Sequence, residues 1–179
     1  MIRRFMTPGI PTRGAPTRRS LATIAACAAL LVPALRAAAQ TAEEARVADV
    51  LDALHEAASA ADFDSYFGLY ATEFIFLGTD ATERWDRDQF MEYARGPFSR
   101  GRGWTYAPIE RHVYIAADGA TAWFDERLDN ANLGETRGSG ILVRESGAWK
   151  VAQYNLTIPI PNGLAREVVA RIREHGGGG

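Results

Sequence analysis

Residues 104–129, WTYAPIERHVYIAADGATAWFDERLD, decide the fold class. Ahead of Trp104 the apolar residues recur at helical spacing, and from Trp104 onward they alternate, which is the period of a strand with one buried face. Asp118-Gly119 interrupts the stretch as a hairpin turn, since glycine supplies the positive φ such turns need. The strands expected on its two sides are Trp104 to Ile115 and Thr121 to Asp129; Arg137 to Arg144 and Trp149 to Thr157 follow in the same period. Asn130 to Glu135 reads as a polar loop and Glu145 to Ala148 as the last turn. Pro159 and Pro161 stop the sheet, because proline has no N–H to give to a ladder.

Working outward toward the N-terminus, the pattern becomes helical. Thr41 and Glu44 have capping-box spacing, and Val47, Val50, Leu51, Leu54 and Ala58 form one stripe after them. Asp62 caps a second, short helix with Phe63, Tyr66, Phe67 and Tyr70 on its apolar side. Phe74 to Leu77 is a short strand ended by Gly78. Asp86 and Gln89 open a third helix with Phe90, Tyr93 and Ala94 inward, and Gly96-Pro97 is expected to end it. At the far end, Leu164 to His175 is amphipathic, with Leu164, Val168, Val169 and Ile172 on one side, ahead of four glycines. Helices first and a meandering sheet after them make an α+β domain.

Several tokens carry a resemblance: Asp62-Phe63-Asp64-Ser65-Tyr66-Phe67, Glu83-Arg84-Trp85, Gly103-Trp104-Thr105-Tyr106, Ala122-Trp123-Phe124-Asp125-Glu126 and Trp149-Lys150-Val151-Ala152-Gln153-Tyr154-Asn155. Together with the element order, they resemble the SnoaL-like branch of the nuclear-transport-factor-2-like (NTF2-like) superfamily over about residues 42–162. The resemblance implies a cone in which helices pack on a curved, mainly antiparallel sheet and enclose a cavity. It also implies a homodimer through the outer sheet face. It does not imply one activity, because the superfamily holds isomerases, cyclases, dehydratases, hydrolases and binding domains. The ketosteroid-isomerase pattern is not matched. Where those relatives carry a base carboxylate, Phe76-Leu77-Gly78 has no acid until Asp80, and Leu54 stands where they carry an oxyanion-binding tyrosine.

The first forty residues differ in composition. Residues 1–39 hold six of the 20 basic residues and none of the 22 acidic ones. Arginines precede an apolar run from Leu21 to Leu35, then Ala37-Ala38-Ala39 and Gln40, the layout of a cleavable secretory signal. Thr17-Arg18-Arg19-Ser20-Leu21 also resembles a twin-arginine signal, and Sec export fits as well. Ile24-Ala25-Ala26-Cys27 offers an alternative, a lipid anchor at Cys27, although apolar sequence continues beyond it. The expected organisation is therefore a signal over 1–39, a domain over 40–162 and a C-terminal helix with a glycine tail over 163–179, in a periplasmic or secreted protein with no membrane span. The remaining 14 basic residues face 22 acidic ones, a charge of the wrong sign for nucleic acid. Cys27 is the only cysteine and the three histidines are scattered, so no metal is expected. No GxGxxG, Walker or GxSxG pattern occurs, and no cofactor is expected.

Strand pairing leads to candidate residues. The Asp118-Gly119 turn pairs Ala117 with Ala120, and hence Val113 with Phe124 and Arg111 with Glu126. Keeping apolar residues together sets Phe124 opposite Ile141 and Glu126 opposite Ser139, then Ile141 beside Val151, Ser139 beside Gln153 and Arg137 beside Asn155. The inner face then carries Arg111, Glu126, Arg137, Ser139, Gln153 and Asn155 beyond an apolar zone that includes Phe124; Tyr66, Tyr70, Trp85, Phe90 and Trp104 would line a cavity from the helical side. One reading is a site for a small, partly apolar molecule held by Arg111 or Arg137. A second makes Glu126 a general acid or base of an isomerase, hydrolase or dehydratase type. A third is a ligand-free homodimerisation module, with Arg111 and Glu126 a plain cross-strand ion pair. The outer face would hold His112, Tyr114, Trp123, Asp125, Leu142, Tyr154 and Leu156, flattened by Gly138 and Gly140, with His112 opposite Asp125. His55 falls on the exposed side of the first helix.

Overall fold

A computed structural model describes residues 18–176. The chain divides between Ala39 and Gln40 into two units, and the second carries the whole sheet. The arginine-rich residues 1–17 and the last three glycines lie outside the described residues.

Helix α1 spans Arg18–Ala60. It runs through Thr41 without a cap, because residues 36–40, Arg-Ala-Ala-Ala-Gln, are strong helix formers that give no reason to stop. The expected stripe is real: Val47, Leu51, Leu54 and Ala58 are buried. Helix α2, Phe63–Gly68, is capped by the Asp62 carboxylate, which accepts from the Ser65 N–H at 3.1 Å. Tyr70 then begins strand β1, Tyr70–Leu77, longer than the Phe74 to Leu77 expected. After the two-residue strand β2, Arg84–Trp85, helix α3 spans Arg87–Ser99 behind a full Asp86–Gln89 capping box. The helix does not end at Gly96-Pro97. Phe98 is buried against Phe63, Tyr66 and Trp104, and that burial secures a last turn in which Pro97 forfeits one hydrogen bond.

Strands β3 (Ala107–Ile115), β4 (Thr121–Asn130), β5 (Gly134–Glu145) and β6 (Ala148–Thr157) complete an open six-stranded sheet of order β2-β1-β6-β5-β4-β3. Only the β1–β6 pairing is parallel. Helix α4, Ala165–Gly176, follows the expected amphipathic segment closely, and none of its residues is buried. Among the described residues no helix is long and apolar enough to cross a membrane.

The first hairpin has the expected register, with Arg111 opposite Glu126 and Val113 opposite Phe124. The next two registers differ from the expected ones: β4–β5 by one residue, and β5–β6 by one at Leu142 and by two beyond it. Phe124 pairs with Gly140 and Glu126 with Gly138; Leu142 pairs with Val151, Ile141 with Gln153 and Ser139 with Asn155. Loop chemistry causes both differences. Asn130 Oδ1 accepts from the N–H groups of Asn132 and Leu133, both at 2.9 Å, which fixes a tight turn between β4 and β5. Ser146 and Gly147 both have positive φ, 50° and 84°, the signature of a two-residue hairpin turn. An irregularity between Ile141 and Leu142 then shifts the ladder again.

A one-residue slip exchanges the two faces of a strand. Leu142, Tyr154 and Leu156 are therefore buried on the inner face, and Gly138 is buried with them. Ser139, Arg137, Gln153 and Asn155 turn to the other side.

Candidate functional site

Glu126 sits in the middle of β4 with its side chain on the inner face and is 1% exposed. A lone carboxylate there would lose several kcal/mol of hydration, on the order of what mutational breakage of buried pairs costs. Three partners offset that loss. Oε1 accepts from the Tyr154 hydroxyl at 2.8 Å and meets His55 Nε2 at 2.9 Å. Oε2 accepts from Arg111 Nε at 2.7 Å. Arg111 also donates through Nη1 to the Ala48 carbonyl at 3.1 Å and to Asp52 at 2.7 Å, so the guanidinium ties β3 to α1.

The exposed position expected for His55 on α1 is not what the fold gives it. The residue is 9% exposed and faces the sheet. The signal is present in the sequence, because His55 follows Leu51 by four residues and so lies on the same helical stripe. Its other ring nitrogen, Nδ1, makes no hydrogen bond among the described residues.

Room for this cluster comes from the strand opposite. A Cβ at Gly138 would lie 2.3 Å from the Tyr154 hydroxyl oxygen and 2.9 Å from Glu126 Oε1. The glycine expected to flatten the outer face is what lets three polar side chains meet on the inner one.

The charges respond to this packing. Burial works to raise the Glu126 pKa, but the hydrogen bonds and electrostatic pull of His55 and Arg111 outweigh it, and the carboxyl stays below its ordinary 4.5. The Tyr154 hydroxyl is pushed well above its ordinary value by burial and by the neighbouring Glu126. It therefore stays protonated and acts as a donor.

A cavity of about 250 Å³ opens above the cluster, with His55 and Tyr154 at its inner end. Tyr66, Tyr70, Trp85, Phe90 and Trp104 line it, as expected, and Phe76 adds further aromatic wall. The Tyr66 and Tyr70 hydroxyls bond to each other at 2.8 Å, so part of the wall is already satisfied within the protein. Phe124 is buried behind Tyr154 and does not reach the cavity. Glu126 and Arg111 also stay behind His55 and Tyr154.

The remaining candidates do not join the site. Arg137, Ser139, Gln153 and Asn155 stand on the outer face, because the one-residue difference between β4 and β5 turns β5 over and β6, paired two residues away from expectation here, turns with it. His112 does not form a dyad with Asp125 across the ladder; its Nε2 meets Glu110 at 3.1 Å. Among the described residues no cluster of three His, Cys, Asp or Glu side chains is placed to hold a metal ion.

A family model described as a SnoaL-like domain matches residues 47–161. Among solved structures, an NTF2-like protein of unknown function from Pseudomonas putida KT2440 is similar at 14% identity and a TM-score of 0.58, covering 68% of this chain and 90% of that one. A candidate dehydratase of the NTF2-like family from Streptomyces avermitilis is similar at 12% identity and a TM-score of 0.58, covering 68% and 99%. A protein with a cystatin-like fold from Caulobacter vibrioides is similar at 13% identity and a TM-score of 0.55, covering 70% and 96%. Identities this low speak for the shared fold alone. None of the curated proteins matches the chain.

Proposed function

The chain belongs to the SnoaL-like domain family, and from that premise we propose that its domain over residues 40–162 takes one small, partly apolar molecule into the cone. The observation that carries this reading is the His55–Glu126–Tyr154 cluster at the inner end of an aromatic-walled cavity of about 250 Å³. A few polar groups converging at the end of an apolar hollow are what a small-molecule site requires. A domain that only dimerised would gain more from a filled interior.

The test is native mass spectrometry of the full chain purified from its own cells. The expected result is a retained small molecule that His55→Leu releases. An empty protein whose melting temperature is unmoved by millimolar aromatic alcohols, amines and acids would remove the reading.

The unpartnered Nδ1 of His55 favours a second reading, proton transfer on the bound molecule. His55 would touch the ligand, and Glu126 would hold the imidazole in place from behind. That assignment moves the proton-carrying role from Glu126 to His55. A reaction lost in His55→Gln but kept at reduced rate in Glu126→Gln would fit it.

Two further parts of the reading stand on the sequence and the outer face. Export to the periplasm or beyond, by Sec or the twin-arginine route, is supported by the arginine-rich start, the apolar run and Ala37-Ala38-Ala39. N-terminal sequencing of the protein recovered from cells is expected to start at Gln40; a start at a lipidated Cys27 would mean anchoring. A homodimer through the outer sheet face is supported by Tyr114 and Trp123, which stack at 5.5 Å and are 45% and 47% exposed beside Ile141. Light scattering of Trp123→Arg is expected to report monomer where the native chain reports dimer.

A further inference from the structure

The charge of the ligand can be read from what the cavity lacks. On the sequence alone, the task of holding a small, partly apolar ligand falls to Arg111 or Arg137. Arg111 is engaged by Glu126, Asp52 and the Ala48 carbonyl, its Nη2 is buried without a partner among the described residues, and it does not line the cavity; Arg137 is on the outer face. Among the described residues, no lysine or arginine lines the cavity. A carboxylate or phosphate entering it would lose its water and meet no lysine or arginine, a cost of several kcal/mol by general desolvation arguments.

What the cavity does present is π-surface and one carboxylate. Trp85 stacks on Tyr93 at 4.6 Å, and the Trp104 ring is 6.4 Å from Tyr93. Tyr93 is 52% exposed, so this group of rings forms the mouth. Glu83 lines the same mouth. Its Oε2 accepts from the Asp80 N–H at 3.1 Å, while Oε1 accepts no hydrogen bond among the described residues. A Cβ at Gly78 would lie 2.2 Å from Oε2, so the glycine at the end of β1 lets the carboxylate fold back over the opening. Tyr106, which also lines the cavity, has its hydroxyl pKa raised by burial, by Tyr93 and by the Glu83 charge, which places that charge within reach of the rings.

Resting on the binding reading above, we propose that the ligand carries a positive centre with an apolar shell, an alkylated ammonium joined to a small apolar or aromatic body. The ammonium lies against Trp85, Tyr93 and Trp104 with Glu83 as its counter-ion, and the body points toward His55. Aromatic faces attract such cations through the ring quadrupole, and a nearby carboxylate adds to the attraction. The volume of about 250 Å³ is below the ~300–1,000 Å³ of drug-sized sites, which keeps the ligand small. Beyond residue 39 the chain holds 14 basic against 22 acidic residues, and that field steers cations toward it.

Isothermal titration of the full chain with three probes of one shape tests this: phenethyltrimethylammonium, 2-phenylethanol and 3-phenylpropanoate. The ammonium is expected to bind about tenfold tighter than the alcohol, with the carboxylate weakest. Glu83→Gln, which keeps an acceptor for the Asp80 N–H, is expected to remove most of that advantage and leave the alcohol unchanged. Tyr93→Leu, at a half-exposed position, is expected to weaken the ammonium several-fold more than the alcohol. An alcohol or carboxylate that binds as tightly as the ammonium, or an ammonium preference that survives Glu83→Gln, overturns the charge assignment and leaves the binding reading standing. If none of the three binds, the charge assignment falls together with the binding reading beneath it.

Discussion

Each face of the β3–β4 ladder gathers the same three residue types, the outer histidine from β3 and the inner one from α1. On the inner face, Glu126 is bonded to Arg111 and His55. On the outer face, Glu110 is bonded to Arg127 at 3.2 Å and to His112 at 3.1 Å. The inner carboxylate side chain has no exposure and the outer one has 48%. In the outer set water can replace any partner that leaves, and salt screens what remains. In the inner set no water replaces a lost partner, so each group depends on the others. A carboxylate, a guanidinium and an imidazole become a site only where the fold removes the solvent.

The largest expected difference between the faces comes from deleting each carboxylate. Glu126→Ala takes the acceptor from Arg111 Nε, His55 Nε2 and the Tyr154 hydroxyl in the interior and is expected to cost about 3–5 kcal/mol in urea unfolding. Glu110→Ala is expected to leave the unfolding midpoint within error. Equal effects would erase the distinction between the two faces.

A second difference rests on the glycine that makes the inner set possible. Gly138→Ala drives a methyl into the Tyr154 hydroxyl and is expected to cost about 3 kcal/mol, the upper range for overpacking. Ser139→Ala, one residue along and on the outer face, is expected to be nearly neutral. A smaller loss of about 2 kcal/mol is expected for Tyr154→Phe, which takes a donor from a buried charge.

The smallest expected effect is a pH dependence. Glu126 has its pKa depressed in the folded state below its ordinary 4.5. Its contribution is therefore complete above pH 4.5 and is lost as pH falls through the folded pKa. The stability gap between the native chain and Glu126→Gln should be widest above pH 4.5 and narrow below it. A gap that stays constant down to the acid transition would mean that Glu126 titrates alike folded and unfolded.

How much of this the sequence disclosed depends on the kind of signal. Caps and periodicity are local, and they located α2, the start of α3 and the long strands. The Asp118-Gly119 turn is local as well, and it brought Arg111 opposite Glu126 correctly. The wrong candidates, Arg137, Ser139, Gln153 and Asn155, came from aligning apolar residues across β5 and β6. Both faces of β5 carry apolar side chains, Leu142 inside and Ile141 and Val143 outside, so hydrophobicity alone could not choose between two registers one residue apart. Asn130 and the Ser146-Gly147 pair held the information, as side-chain capping and backbone φ.

By itself the sequence determined the element types, their order, the buried stripe of α1 and the first hairpin, because each rests on contacts between residues near in the chain. Tertiary structure alone decided that His55 and Tyr154 meet Glu126 across 71 and 28 residues of chain, and that Arg111 and Arg137 do not line the cavity. The reason is physical: a strand's face is settled by a single residue of register and a helix's by its rotation on the sheet. Both are fixed only when turns, bulges and core packing are satisfied together.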